Sequence, residues 1–484
     1  MVFPEGEDDN GQGYQDGGYA RRNIIMFIVL IGTAMAVIDG IVVSIALPTI
    51  TSSFEVGVTQ SQWIITAYLV TETSLLLIFG KISEYTGKIK IFLAGVIIFT
   101  SGSLACGVSA SLAELILFRI IQATGSAMIF SLSTAIIFEL FPKGEQGRAM
   151  GYIGATIAIA SIASPVLGGI ITDTLGWEYI FLINVPIGII LLLLAFRYFH
   201  FRETLSGNLD MDWAGAVAMI LFMVSLILFL GELSTGIALS PAAAGYLFVF
   251  LVSLGVFLVR EMTHNNPLLD LSVFKNRYFL LPVMAMILIF IALFMVNLIG
   301  PFYFEGVMGL KPSQVGLVFL IAPFIMVIAS PVTGWLYDRF PSRYYSAAGI
   351  GLTGISLLLL SSSARSADLT LIVVSFIPLS VGSALFQSPN NTEIMRSLPP
   401  EKTGIASSLS ATLRNLAMTL GVSVASIILT FQLHSSGYYG PVLKADAPLL
   451  AGSIGDILVA GAFICFAGMV FCLVNSTKNV PGQA

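Results

Sequence analysis

The chain is 484 residues long, 56% hydrophobic and only 10% charged, with a formal net charge of −5. A soluble globular protein is about 25% charged, so this chain has too few charges to cover a water-facing surface and lipid must be its main solvent. That excludes a soluble enzyme or a nucleic-acid-binding domain. Three cysteines (Cys106, Cys465, Cys472) and three histidines (His200, His264, His434) are scattered, with neither metal spacing nor a disulfide framework, and no cofactor or metal is expected.

In chain order, the first element is a Gly-rich tail whose five acids, Glu5, Glu7, Asp8, Asp9 and Asp16, account for the whole net charge. Such a segment is expected to be disordered. It has no basic stretch leading into a short apolar core, so it does not read as a cleavable signal peptide. From Asn23 onward, apolar runs recur to the end of the chain, and each has the roughly 18 residues or more that span about 30 Å of hydrocarbon as a helix. Barrel strands are about ten residues and alternate in polarity. The expected fold is therefore an all-α integral membrane protein with about fourteen transmembrane helices, at 23–47, 61–80, 91–109, 113–139, 148–171, 179–199, 213–232, 242–261, 278–299, 314–335, 345–363, 367–388, 404–432 and 453–474.

With the amino terminus inside, 17 of the 22 Lys and Arg fall in inner loops or inner span ends, three (Lys311, Arg365, Lys444) fall outside, and two (Arg119, Arg414) lie within spans. By the positive-inside rule both termini are cytoplasmic, and the expected location is the cell membrane, multi-pass. The expected division is a disordered cytoplasmic tail (1–22), an N-terminal six-helix bundle (23–199), two extra helices with linkers (200–277), a C-terminal six-helix bundle (278–474) and a cytoplasmic tail (475–484). The halves echo each other. SQWIITAYLVTETSLLLIFGKISE (Ser61–Glu84) and SQVGLVFLIAPFIMVIASPVTGWLYD (Ser313–Asp338) both open on Ser-Gln and close on Gly-x-x-x-acid. This reads as an internal repeat around a midplane site; chance is the other reading of so short a match.

The first span contains AVIDGIVVSIALP (Ala36–Pro48), which puts Asp39 where hydrocarbon is expected. A charge at the helix centre costs roughly 2.5–3.5 kcal/mol on insertion scales and marks a functional site by default. At about 1.5 Å per residue, Asp39 lies roughly 12 Å below the outer end of its span, Arg119 roughly 9 Å below its own, and Glu72 roughly 16 Å in, near mid-membrane. Asp39 and Arg119 can pair if their helices are neighbours. Desolvation and a nearby cation act on a carboxyl group in opposite directions, and an acid held between them can exchange a proton when water access or the arginine moves. Asp39, Glu72 and Arg119 are the candidates for proton coupling, with Asp39 ranked ahead of Glu72. The other reading of Asp39 is a permanent ion pair that holds helices in register.

Several stretches resemble one family. GKISEYTGKIK (Gly80–Lys90) resembles the cytoplasmic loop motif of the major facilitator superfamily, LILFRIIQATGSA (Leu115–Ala127) its buried-arginine motif, and SPVLGG (Ser164–Gly169) the motif associated with antiporters. IDGIVVSIALP and WEYIFLINVPIG (Trp177–Gly188) resemble its fourteen-helix drug:proton antiporter branch. The chain departs from those patterns with Glu84 for aspartate, Tyr85 for arginine, Ser164 for glycine and Glu178 for arginine. In the loop, Gly80 and Gly87 permit close helix approach and a tight turn. Glu84 can pair with Lys81, Lys88 and Lys90, with Glu139 in reach, as a latch across the inner mouth; an ordinary solvated loop is the alternative. The fifth span places small residues four apart (Gly147, Gly151, Ala155; Ala160, Ser164, Gly168), which lets another helix approach, and Pro165 removes a helical hydrogen bond. The resemblance implies that Pro165, Gly168 and Gly169 seal the interface between halves.

No buried acid is read in the second half. Gln122, Asn297, Gln387, Asn390, Arg414 and Asn415 are the candidate polar lining of a substrate cavity, with Arg414 read as a helix organiser before a ligand. Thirty-four Phe and 17 Met leave such a cavity mostly apolar, and Met surfaces adapt to varied shapes. Together, residues and resemblance imply a proton-coupled exporter, an antiporter of the multidrug-efflux kind, moving hydrophobic small molecules, cationic ones included, by alternating access, with no enzymatic activity. The alternatives are export of an amphiphilic lipid or specific metabolite, uptake or exchange of an organic solute, or a non-transporting scaffold or receptor. Expected partners are the substrate, protons and the bilayer, with no nucleic acid, and the chain is expected to act as a monomer.

Overall fold

The computed structural model describes residues 13–141, 146–198, 212–233, 240–263, 271–340, 342, 344–398 and 403–476. Among them, fourteen helices are long and apolar enough to cross a membrane. Their main segments are α1 (Gly13–Ser53), α2 (Trp63–Thr86), α3 (Lys88–Gly107), α4 (Leu112–Leu140), α5 (Gln146–Thr174), α6 (Asn184–Tyr198), α7 (Trp213–Leu233), α8 (Pro241–Thr263), α9 (Arg277–Gly306), α10 (Pro312–Arg339), α11 (Tyr344–Ser366), α12 (Leu369–Arg396), α13 (Thr403–Ser435) and α14 (Ala447–Ser476); the sixth span begins before α6, at Tyr179. In lipid, a spanning backbone must satisfy its own polar groups, and a helix does so within one segment. The even number puts both ends of the described chain on one face, the terminal face; the other is the distal face.

Several helices run past their expected bounds, among them α2 to Thr86, α9 to Gly306 and α12 to Arg396, and α14 starts earlier, at Ala447; the first span differs at both ends. The tail expected to be disordered through residue 22 is helical from Gly13, because adding a residue to a formed helix is far easier than nucleating one; residues 1–12 lie outside the described residues. The first span does not stop at Leu47 either. α1 runs through Pro48 to Ser53, and the Thr51 hydroxyl donates to the Leu47 carbonyl at 2.7 Å, the kind of local hydroxyl bond that lets a membrane helix tolerate proline.

The two halves repeat one packing device. Where α3 crosses α4, a Cβ on Gly125 would lie 2.4 Å from the Phe99 nitrogen and 2.6 Å from the Gly95 carbonyl oxygen. Where α11 crosses α12, a Cβ on Gly349 would lie 2.4 Å from the Phe386 nitrogen and 2.7 Å from the Gly382 oxygen. Both crossings bring backbones into contact, as small residues permit. Gly125→Val is expected to overpack the first crossing by about 1–3 kcal/mol or more, seen as a lower melting temperature of the purified protein. The helix starts also repeat, in a different register from the Ser-Gln match: Gln60 Oε1 accepts from the Gly57 N–H at 3.2 Å and Gln314 Oε1 from the Lys311 N–H at 2.9 Å.

The extra pair lies at the edge. α8 packs on α7, while α7 packs on α2 and α13; Ser74 of α2 donates to Met223 Sδ of α7 at 3.3 Å. Phe248, Leu251 and Met262 of α8 are exposed, as expected of a helix facing lipid. Asp212 ties the pair together: its Oδ1 accepts from the Gly215 N–H at 2.9 Å, capping α7, and from Arg260 Nη2 of α8 at 2.7 Å.

The halves meet near the distal face. Gly169 of α5 sits against α10, where a Cβ would be 2.4 Å from the Pro312 oxygen, and Gly316 of α10 sits against α5, 2.2 Å from the Pro165 oxygen. Ser313 donates to Asp173 at 2.6 Å, and the Thr59 and Thr430 hydroxyls are 2.8 Å apart. Toward the terminal face, added Cβ atoms on Gly151 and Gly154 of α5 would meet nothing within 4 Å. The halves are thus drawn together distally and part toward the terminal face.

Candidate functional site

Five of the six helices of the first half converge on Asp39, which is 0% exposed. Arg119 Nη1 of α4 reaches Asp39 Oδ2 at 2.5 Å. Gln122 Nε2 and Asn184 Nδ2 donate to Oδ1 at 2.8 and 3.0 Å. Ser103 of α3 accepts from Gln122 at 2.7 Å, and Arg119 Nε donates to the Ile64 carbonyl of α2 at 3.2 Å. The helix-end depths underlie the pairing only loosely. With α1 extended past Pro48, Asp39 lies roughly 21 Å from its distal end and Arg119 roughly 10 Å from its own, so α1 projects beyond its neighbours on that face.

The guanidinium carbon sits over the Tyr68 ring, 3.8 Å from its centroid. Tyr68 then opens a second chain of hydrogen bonds: its hydroxyl donates to Ser126 Oγ at 2.8 Å, and Ser126 donates to Glu72 Oε1 at 2.8 Å. Glu72 is 6% exposed and accepts only this bond among described residues. The two acids, treated as rivals in the sequence, therefore share one network. Its linking residues, Tyr68, Ser126, Ser103 and Asn184, were not singled out as candidates. A signal existed: Tyr68 and Glu72, Gln122 and Ser126, and Arg119 and Gln122 are three or four apart, one helix face each.

The acids differ in the donors they face. Asp39 is met by a guanidinium and two amides, all N–H donors, an arrangement that fits the ionised carboxylate. Glu72 is met by a hydroxyl that can donate or accept. A proton on Oε2, which bonds to no described residue, leaves Oε1 free to accept from Ser126, so the hydroxyl chain holds in either protonation state of Glu72.

Other expected site residues divide. Gly87 is a one-residue connection with φ +104°, the tight turn expected of it. Gly80, expected to allow close approach, does not: an added Cβ would meet nothing within 4 Å. Lys88 begins α3, but the side chains of Glu84 and Glu139 lie outside the described residues, so the latch does too. Of the small residues on α5, the distal ones pack, with Gly168 against Val42 of α1 and Gly169 against α10, while Gly151 faces open space; helices held together at one end alone have no need of small residues at the other. Ser164 donates to the Ala160 carbonyl within α5. Gln122, expected to line a cavity, is 0% exposed and committed to Asp39, because its amide completes the carboxylate's donor set. Asn390 is also buried, at 1%. Asn297, Gln387, Arg414 and Asn415 are partly exposed.

Comparison with known proteins follows the same lines. The chain is 31% identical over 462 residues to the riboflavin transporter RibZ of Clostridioides difficile (strain 630), covering 95% of this chain and 98% of that one. It is 29% identical over 413 residues to the multidrug export protein EmrB of Escherichia coli (strain K12), covering 84% and 80%. Among solved structures, a bacterial homologue of the lysosomal transporter Spinster, inward-facing and unoccupied, matches with a TM-score of 0.70 at 14% identity, covering 96% of this chain and 99% of that one. The family model of the Major Facilitator Superfamily matches residues 29–422. The chain belongs to the Major Facilitator Superfamily, as a multi-pass membrane transporter and not an enzyme.

Proposed function

We propose that this transporter exports hydrophobic small molecules in exchange for protons, with Glu72 as the carboxyl group that takes up and releases the proton. The observation that carries the reading is the hydroxyl chain, Tyr68–Ser126–Glu72, which runs from beside the Asp39–Arg119 pair to an acid whose second oxygen bonds to no described residue. Asp39 is then the anchor that fixes Arg119 over Tyr68, and its N–H donors leave it little freedom to change protonation state. This reverses the ranking drawn from the sequence. The terminal face is cytoplasmic by its excess of Lys and Arg, so the arrangement described here, sealed distally, is the inward-open one. The relative named a multidrug export protein supports the direction and the breadth of substrate.

A second reading, exchange of one specific organic solute, is favoured by the relative named a riboflavin transporter, which aligns with nearly the whole chain. Purified protein in liposomes with an imposed pH gradient separates these readings, tested against a panel of dyes, riboflavin and fluorescent lipids. Gradient-dependent movement of several unrelated compounds supports export of many substrates, movement of one compound supports the second reading, and no gradient dependence contradicts proton coupling.

The distal seal carries its own test. Gly169→Leu wedges a side chain against Pro312 in the inward-open form, and a strain of about 1–3 kcal/mol on one of two forms shifts their balance about 5- to 150-fold. Transport is expected to slow accordingly, and cysteine labelling on the distal face should rise; wild-type turnover and labelling would count against a seal there.

A further inference from the structure

We propose that the cleft between the halves recognises zwitterionic substrates, Glu72 taking the cationic group and Arg414 the anionic one. This rests on the proton-coupled export proposed above and adds its substrate class. Glu72 is on α2 and Arg414 on α13, helices of opposite halves that pack side by side. From the terminal-face ends of their helices, Glu72 lies roughly 21 Å in and Arg414 roughly 16 Å in, similar enough in depth for opposite charges on adjacent helices to act on each other. Arg119 donates through Nε and Nη1 to the Ile64 carbonyl, Asp39 and Gln122. Arg414 has no such bonds: its guanidinium makes no hydrogen bond to a described residue, and the Phe290 ring of α9 lies 5.8 Å from its Cζ.

A guanidinium fork near mid-membrane with no protein acceptor depends on the water of the open cleft, and a substrate that displaces that water must supply an acceptor in its place. The charge balance narrows what that is. A substrate bearing only a cation satisfies Glu72 and strands Arg414. One bearing only an anion satisfies Arg414 and strands an ionised Glu72. A zwitterion compensates both at once, with Phe290 as an apolar platform beside the anionic group. Its cationic group also needs Glu72 ionised, so the proton leaves Glu72 as substrate binds, which is the linkage that exchange requires. The other ionisable groups that act on Glu72 are Asp39 and Arg119, with Tyr68 joined to it through Ser126.

The test uses purified full-length protein and three fluorescent probes on one aromatic body: norfloxacin (zwitterion), its methyl ester (cation only) and N-acetylnorfloxacin (anion only), each titrated at neutral pH without any gradient. The expected result is binding of norfloxacin tighter than either derivative by about tenfold or more, the scale of one hydrogen bond to a charged group. Arg414→Gln removes the preference over the methyl ester, Glu72→Gln removes the preference over the N-acetyl compound, and Arg414→Lys keeps part of the first. Equal binding of the three probes by wild type, no binding of any, or an equal loss of all three in both Arg414 variants overturns the proposal. Because no gradient is used, a zwitterion preference stands or falls separately from proton-driven export.

Discussion

Glu72→Gln is expected to abolish gradient-driven accumulation in proteoliposomes while exchange of labelled for unlabelled substrate persists at saturating concentration. The substitution is mild for the fold. Ser126 donates to Glu72 Oε1 at 2.8 Å, a glutamine keeps that acceptor, and the change in stability should stay within about 1 kcal/mol, the net worth of one hydrogen bond. What glutamine cannot do is lose and regain a proton. A one-for-one exchange turns one pH unit, about 1.4 kcal/mol, into about tenfold accumulation, and the variant should fall to parity at any gradient. Wild-type accumulation by Glu72→Gln would remove Glu72 from the coupling.

Asp39→Asn should be more damaging and for a different reason. Asp39 accepts from Arg119 on one oxygen and from Gln122 and Asn184 on the other. An asparagine must turn its NH2 toward one of those donors, and Arg119 loses its counter-charge inside the membrane. Removing one partner of a buried ion pair costs about 3–5 kcal/mol, so both exchange and gradient-driven transport should fall by about two orders of magnitude or more, along with the yield of monodisperse protein. The double variant Asp39→Asn, Arg119→Gln removes the stranded charge and should recover part of that yield without recovering transport. Gradient-driven transport near wild type in Asp39→Asn alone would contradict the anchoring role.

Much of this architecture is legible in the sequence because hydrocarbon is an exacting solvent. Each span announces itself by length and hydropathy, and an acid such as Asp39 stands out because so few charges are tolerated there. Boundaries are less legible. Pro48 reads as a stop but is absorbed within α1, where a threonine hydroxyl supports the chain around it. The Ser-Gln echo points to a real repetition of helix starts, yet the glutamines that cap are Gln60 and Gln314, and only the backbone geometry shows that register. Within the site, Asp39 and Arg119 are found by rarity, whereas Tyr68, Ser126 and Asn184 are not, since hydroxyls and amides in spans are common and usually bond their own helix. Their meaning comes from which helices lie side by side. Arg414 illustrates the same limit. Alone in its span it reads as an organiser of helices; beside Glu72, with no hydrogen-bond acceptor among the described residues, it reads as half of a binding site.

The most direct test of coupling through Glu72 is proton release on binding. The panel compound that moves fastest is added to wild-type protein in weakly buffered solution, and the pH change is compared with that of Glu72→Gln. The account predicts release by wild type, with affinity weakening as pH falls, and none by Glu72→Gln at saturating compound. Release of equal size from both proteins, or none from wild type, would contradict it.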